Sequence, residues 1–305
     1  MIYTKKAEYE WIVGMIDGDG FLDLERTKNR DRFYYRPVLA ITQKDAKLLY
    51  KIKKILYVGR VSKRNDGYYH YRVRSRKLFE QFLIPIFEKY PFRSNKQLQY
   101  RLLLRSLKVL TNYNGFASEQ TAQNKQKYLL KQSHLNRYIQ WIRQARRRKI
   151  RNLKPISFAW FVGFFDSEGC ISISNKKGTF QYKFVIKISQ SEVHYLLLQG
   201  IKNLLKIGHI STERLFENEL GMGKRQNIYY WGITHRRDIR KLITLFNKYP
   251  LKSDKNIQWL HFLKLLRLRP TTKKSQQRFH RLLLSLTKQK QIEDRVPTKL
   301  KNLEK

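Results

Sequence analysis

The chain has 305 residues, with 65 Lys and Arg against 23 Asp and Glu, a net charge of +42. Charge of that size concentrates polyanions and points to nucleic acid as partner, and at 41% hydrophobic and 13% aromatic residues it sits on a folded chain, not on a disordered basic tail. The single cysteine, Cys170, excludes intramolecular disulfides and cysteine-cluster zinc sites, the histidines show no zinc-binding spacing, and no apolar run reaches the ~20 residues of a membrane span.

The N-terminus, MIYTKKAEYEW, shows neither an apolar signal segment nor the Arg- and Ser-rich start of a transit peptide, so the protein is expected to act where it is made. A helix comes first, with Trp11, Ile12, Met15 and Ile16 at helical spacing before Asp17. Leu22 and Leu24 then alternate with Asp23 and Glu25 as in a half-buried strand. In the next strand Pro37, Leu39 and Ile41 form one face, and Arg36, Val38, Ala40 and Thr42 the other. A helix over Ala46–Tyr57 leads to a second hairpin, where Tyr69, Tyr71 and Val73 alternate with His70, Arg72 and Arg74. Helices close this unit, which is expected to span 1–110. Residues 111–154 read as a basic linker with a helical stretch centred on Gln120–Arg147.

The same order then returns over 155–270. Phe161, Val162, Phe164 and Phe165 form the helix; Ile171 and Ile173 alternate with Ser172 and Ser174; Phe184, Ile186 and Ile188 alternate with Lys183, Val185, Lys187 and Ser189. A helix over Val193–Leu205 follows. In the tail, 271–305, Phe279, Leu282, Leu283 and Leu286 share one helical face, which is expected to dock.

The two units are copies. WIVGMIDGDGFLDL at Trp11–Leu24 recurs as WFVGFFDSEGCISI at Trp160–Ile173, AITQKD at Ala40–Asp45 as KISQSE at Lys187–Glu192, and KYPFRSNKQLQY at Lys89–Tyr100 as KYPLKSDKNIQW at Lys248–Trp259. Three matches in one order are not chance. The second copy is two residues shorter before Gln190, which predicts a shorter first hairpin. It is twelve longer between Gln190 and Lys255, an insertion expected within Glu213–Asn227 because loops tolerate insertions. The fold class is α+β: two pseudo-symmetric α-β-β-α-β-β-α units, each with an antiparallel sheet.

An antiparallel sheet can bury one face and present the other, and a β-ribbon fits the DNA major groove. The outward residues Asp23, Glu25, Arg36, His70, Arg72, Arg74, Ser172, Ser174, Lys183 and Lys187 are candidate readers of double-stranded DNA, with Asp23 and Glu25 suited to cytosine N4. The plainer alternative is a solvated sheet face.

Gly14 and Gly18 lie four apart on one helical face, as do Gly163 and Ser167. Small residues at that spacing let two helix backbones approach closely. Packing the two motif helices together would join the halves and set Asp19 beside Glu168. Two carboxylates that close repel unless a cation lies between them, and oxygen-only ligation suits Mg²⁺, or Mn²⁺ in its place. Metal-assisted phosphodiester hydrolysis would follow. Asp17 and Asp166 are read instead as caps of the turns beside the neighbouring glycines.

With these residues in view, WIVGMIDGDG and WFVGFFDSEG resemble the signature of the LAGLIDADG homing endonucleases, single-chain two-motif type, and the likeness covers about Trp11–Leu110 and Trp160–Leu268. The resemblance implies saddle-shaped sheets in the major groove and cleavage of both strands across the minor groove. It implies that Asp19 and Glu168 bind metal, that Gln43 and Gln190 order water near the scissile phosphates, and that Lys96 and Lys255 support the nucleophile or the transition-state charge. Glu168 departs from the usual Asp, which leaves room for unequal cleavage of the two strands. Unequal halves imply a long asymmetric target and a monomer. Expression from an intron of an organellar genome, mitochondrial or chloroplast, fits the family, with a bacterial or phage origin as the alternative. Three rivals remain. One is an intron maturase on the same fold that binds intron RNA, with a dual role alongside cleavage left open. Another is a DNA-binding regulator without catalysis. The third is an unrelated metal nuclease using histidines, against which the chain has no clustered His–Asn–His arrangement. Both acids, both glutamines and both lysines are present, which favours cleavage.

Overall fold

The computed structural model describes residues 4–30, 32–112, 122–175, 182–214, 227–268, 272 and 274–283. The first helix, α1 (Lys5–Asp19), begins where the Thr4 hydroxyl accepts from the Ala7 amide. It runs directly into β1 (Gly20–Asn29), which pairs antiparallel with β2 (Arg32–Gln43) from Gly20↔Ile41 to Asn29↔Arg32. α2 (Ala46–Leu56) is capped by Asp45, whose Oδ1 accepts from the Lys47 amide at 2.8 Å. Next come β3 (Arg60–Lys63) and β4 (Tyr69–Val73), completing a four-stranded sheet in the order β1-β2-β4-β3. α3 (Arg76–Leu78), a π-helical turn (Phe79–Leu83), α4 (Ile84–Lys89) and α5 (Lys96–Asn112) close the unit. Burial follows the alternation in the sequence. Leu22, Leu24, Leu39, Ile41, Tyr71 and Val73 face the helices and are buried.

The linker carries α6 (Ala122–Ala145), and the second unit then repeats the first. α7 (Phe158–Glu168) leads into β5 (Gly169–Asn175) and β6 (Tyr182–Ser191). A 3₁₀ turn (Glu192–His194), α8 (Tyr195–Leu205), β7 (His209–Arg214) and β8 (Asn227–Ile233) complete a sheet in the order β5-β6-β8-β7. α9 (Arg236–Lys248) and α10 (Lys255–Arg267) follow. The first hairpin is shorter than its counterpart, as expected: Gly169 pairs with Ile188, where Gly20 pairs with Ile41. The inserted segment falls between β7 and β8, and residues 215–226 lie outside the described ones.

Three features differ from the sequence expectation or sharpen it. The helix expected from Val193 starts as a 3₁₀ turn, because the place of the capping Asp45 is taken by Glu192, whose longer side chain pairs with Lys149 instead. The linker helix α6 does not stand apart from the first unit but packs along its edge strand β1. Asn136 Oδ1 accepts from Arg26 Nη1 and from the Tyr35 hydroxyl, both at 3.2 Å, and the Tyr128 hydroxyl accepts from the Phe33 amide at 3.0 Å. A covered edge cannot pair with another chain. The tail docks in part as expected: residues 274–283 are helical, Phe279 is buried with its ring centroid 4.2 Å from that of Tyr182, and Leu283 packs against the core, but Leu282 of the expected face is exposed. Leu286 lies outside the described residues. Among the described residues no helix is long and apolar enough to cross a membrane.

The units meet along α1 and α7. Trp11, Ile12, Met15 and Ile16 on one helix, and Trp160, Phe161, Phe164 and Phe165 on the other, are all buried. A Cβ at Gly14 would stand 2.1 Å from the Trp160 carbonyl oxygen, and one at Gly163 would stand 1.9 Å from that of Trp11. The two backbones therefore touch with no room for a methyl group. Each tryptophan also reaches across: Trp11 Nε1 donates to Asp166 Oδ2 and Trp160 Nε1 to Asp17 Oδ2, both at 2.8 Å. A Cβ at Gly18 would meet Ser167 of the other helix, its Oγ at 1.9 Å and its Cβ at 2.6 Å. The hydroxyl can rotate away, but the Cβ contact needs a shift of the helices, although no backbone atom stands in the way. Gly14→Ala and Gly163→Ala are thus expected to cost about 2–3 kcal/mol or more of stability, in the range of an overpacked core, and Gly18→Ala less, because it meets a side chain and not backbone. Urea denaturation of the three variants measures the order, and equal losses would argue against the backbone contact.

Candidate functional site

The close helix contact determines where the two acids lie. Asp19 is the last residue of α1 and Glu168 the last of α7, both half-buried where the helices end together. The negative end of a helix dipole disfavours a carboxylate, and here two such ends converge on two carboxylates. Burial holds the Asp19 carboxyl above the usual range, while Lys255, the Gln43 amide and Lys96 pull it back. Glu168 is raised by burial and then by the neighbouring Asp19, against Lys96, Lys255 and a hydrogen bond from Gln190. Both expected glutamines therefore hold an acid. Gln43 Nε2 donates to Asp19 Oδ2 at 2.5 Å, and Gln190, in the same place on β6, donates to Glu168.

The expected lysines are not surface lysines. Lys96 begins α5 and is only 9% exposed; its Nζ donates to the Asp17 carbonyl at 2.8 Å and to that of Gly18 at 3.0 Å. Lys255 begins α10 and donates to the Asp166 and Ser167 carbonyls at 2.6 and 2.7 Å. Each ammonium thus caps the C-terminus of its own motif helix, and each feels the carboxylates of both halves. Burial lowers both lysine pKa values against that pull. Among the described residues two N–H donors of each ammonium are engaged, which leaves the third for an anion.

Asp17 and Asp166 bear out a structural role but not the expected one. Asp17 does not cap a glycine turn. It accepts from the Arg93 amide at 2.8 Å, from the Ser94 amide at 3.0 Å and from the Ser94 hydroxyl, besides Trp160. Asp166 likewise accepts from the Lys252 and Ser253 amides, the Ser253 hydroxyl and Trp11. Each aspartate thus ties the segment before the lysine-bearing helix to the motif helices of both halves. The repeated Trp, Asp and Ser at matching positions were visible in both copies, but nothing in the chain order says that Trp11 seeks Asp166 and not its own Asp17.

The sheet faces carry the candidate readers. In the first sheet Glu25 lies opposite Arg36 and pairs with Arg74 at 3.1 Å, and Ala40 and Thr42 lie opposite Arg72 and His70. Burial, then Arg72 and the neighbouring arginines, lowers the His70 pKa, the mark of a positive surface. In the second sheet Ser172 pairs with Val185, Ser174 with Lys183 and Cys170 with Lys187, so Ser172, Ser174, Lys183 and Lys187 share one face. Asp23 is a correction. It is 4% exposed, and its Oδ2 is held by Arg146 at 3.3 Å and Arg143 at 3.4 Å. The linker helix takes up the carboxylate that was expected to meet cytosine. Its register partner Val38 is buried as well.

The donor set fits a hard cation. The two carboxylates are oxygen ligands, their mutual repulsion is relieved by a cation, and both helix dipoles favour one. Among the described residues no group of three or more His, Cys, Asp or Glu could hold a metal, so the remaining ligands would be water and substrate oxygens, the habit of Mg²⁺.

The model of the LAGLIDADG endonuclease family matches residues 12–107 and 161–266, and the chain belongs to that family. Among curated relatives, "Probable intron-encoded endonuclease 4" of Neurospora crassa is 26% identical over 272 residues, 85% of this chain and 39% of that protein. "Probable intron-encoded endonuclease Cox1-I1b" of Schizosaccharomyces pombe is 30% identical over 107 residues, 34% of this chain and 25% of that protein. The chain thus spans well under half the length of these relatives. Among solved structures, the LAGLIDADG homing endonuclease I-GzeII in complex with its DNA target superposes with a TM-score of 0.72 at 21% identity, covering 90% of this chain and 96% of that one. I-SmaMI bound to uncleaved DNA target in the presence of calcium ions gives 0.71 at 19% identity, over 92% and 98%. These likenesses show the fold.

The raised carboxyls have a thermodynamic consequence. The folded chain holds protons at Asp19 and Glu168 that the unfolded chain has already released, so stability is lost as pH rises from the ordinary carboxylate range through the raised values. The Asp19→Asn, Glu168→Gln double variant escapes that loss. Without metal it is expected to be more stable than the parent at neutral pH, with the gap narrowing toward acid pH. Urea denaturation in EDTA across that range reads the difference; a parent as stable as the variant at neutral pH contradicts it.

Proposed function

We propose that the protein is a site-specific endonuclease that cuts both strands of double-stranded DNA with Mg²⁺ or Mn²⁺ held by Asp19 and Glu168. The observation that carries this reading is the pair of desolvated carboxylates at converging helix ends, each hydrogen-bonded by a glutamine. A regulator that only bound DNA would have no use for an arrangement so costly to burial. When bound, the divalent ion supplies an activated water and neutralises the leaving oxygen. Asp19 and Glu168 orient it. Gln43 and Gln190 hold the acids and present amide groups to water near the scissile phosphates. Lys96 and Lys255, each with one N–H left, stabilise charge developing on the phosphates.

The outward residues Glu25, Arg36, His70, Arg72, Arg74, Ser172, Ser174, Lys183 and Lys187 contact the target, and the net charge of +42 supports a large phosphate share of the binding. The unequal halves support a long, asymmetric site, and two motif copies on one chain support a monomer. The names of the relatives support expression from an intron, which we place in an organellar genome. The dividing lines after residues 110, 154 and 270 are the unit boundaries of this reading.

The test is cleavage of a randomised DNA library with Mg²⁺, comparing the parent with the Asp19→Asn, Glu168→Gln double variant. Discrete double-strand cuts by the parent alone are expected, while the variant still binds the recovered target. Tight binding without cuts by the parent would overturn the endonuclease in favour of an RNA-binding maturase, tested next on intron RNA. Affinity for the recovered target is expected to fall with log salt at a slope of about 5 or more, as for a protein neutralising at least ~6 phosphates. A flat salt dependence would contradict a phosphate-dominated interface.

A further inference from the structure

His194 sits in the 3₁₀ turn after β6, one helical step beyond Gln190. Its Nδ1 lies 2.9 Å from Gln190 Oε1. The same glutamine donates to Glu168, which it can do only through Nε2. That orientation makes Oε1 an acceptor alone, so Nδ1 of the histidine must carry the proton. Nε2 of the ring is then an acceptor, and it is buried with no hydrogen-bond partner among the described residues. An orphaned buried acceptor is costly, and an apolar side chain would pack the same space without that cost. Burial and the Lys96 ammonium push the His194 pKa down to about 4, so the ring is neutral and one tautomer suffices.

Among the described residues the first half shows no such device. Gln43 holds Asp19 directly, and the position matching His194 is Lys47, whose amide is taken by the Asp45 cap. An unsupported amide can rotate by half a turn, which would aim its oxygen at the carboxylate. In the second half the Nδ1–H of His194 opposes that rotation.

We propose that His194 is a positioning residue that locks the Gln190 amide toward Glu168, so that the strand cut beside Glu168 depends on it and the strand cut beside Asp19 does not. This rests on the endonuclease reading above. The role is played through Gln190, and His194 itself touches neither metal nor scissile phosphate.

Two measurements on the 305-residue chain test it. In the metal-free protein, long-range ¹⁵N–¹H correlation spectra at neutral pH should show His194 as the Nδ1–H tautomer; an Nε2–H tautomer or an imidazolium would overturn the proposal without any cleavage assay. On supercoiled plasmid carrying the target recovered from the library, His194→Ala should accumulate nicked circles. Cleavage of one strand should slow by about tenfold, the effect of one lost hydrogen bond, with the other strand and the Kd for DNA unchanged. His194→Asn, whose amide N–H falls near the place of Nδ1–H, should restore the rate, and His194→Gln should not. Equal slowing of both strands, no slowing, or failure of His194→Asn to rescue would overturn the positioning role. A library that yields no cuts beside an Nδ1–H tautomer would instead overturn the endonuclease reading and leave the Gln190 contact standing.

Discussion

The contact of two helix backbones at Gly14 and Gly163 is the constraint from which the rest follows. At that distance the carbonyl of one tryptophan occupies the space where the opposite glycine would carry a side chain. Helices this close and nearly matched must end together, so their terminal acids cannot avoid each other. The reciprocal Trp11–Asp166 and Trp160–Asp17 bonds then bind each helix to the partner half. Through Ser94 and Ser253 the same aspartates hold the starts of α5 and α10, and so deliver Lys96 and Lys255 to the helix ends.

The charges at that point are all placed against local preference. Acids stand at the C-termini of helices and lysines at the N-termini, each at the end whose dipole disfavours it. Burial raises the acids and lowers the lysines. The members compensate one another, since each lysine caps a helix whose terminal acid it also attracts. A fold optimised for stability alone would not assemble such a set, and rule-breaking of this kind concentrates where chemistry is done.

Pseudo-symmetry ends at the periphery. The first sheet is flanked by α6, where Arg143 and, just beyond the helix, Arg146 occupy Asp23, and the second is packed by Phe279 of the tail helix. The glutamines differ as well, one backed by a histidine and the other not. The two halves therefore present different surfaces and differently supported sites, although their frames are equivalent.

Much of this was legible in the chain. Period-two burial in β1, β2 and β4, the doubled motif, the small residues at the helix contact and the six polar residues of the centre are local patterns or repeats, and a repeat reports equivalence without coordinates. The role of Asp17 and Asp166 was not legible, because both halves contain the same Trp and Asp and only packing decides which tryptophan crosses to which aspartate. The removal of Asp23 from the outer face depends on where a linker helix, more than a hundred residues away in the chain, comes to lie. His194 was hidden for the same reason. Its meaning comes from a turn that replaces the capped helix start of the first half and brings the ring against Gln190. The sequence by itself determined the two-unit α+β frame and the residues at its centre, since hydrophobic period and repetition are properties of the chain; the tertiary structure decided which of those residues touch, because hydrogen-bond partners across an interface are chosen by distance and direction, and neither is written in sequence order.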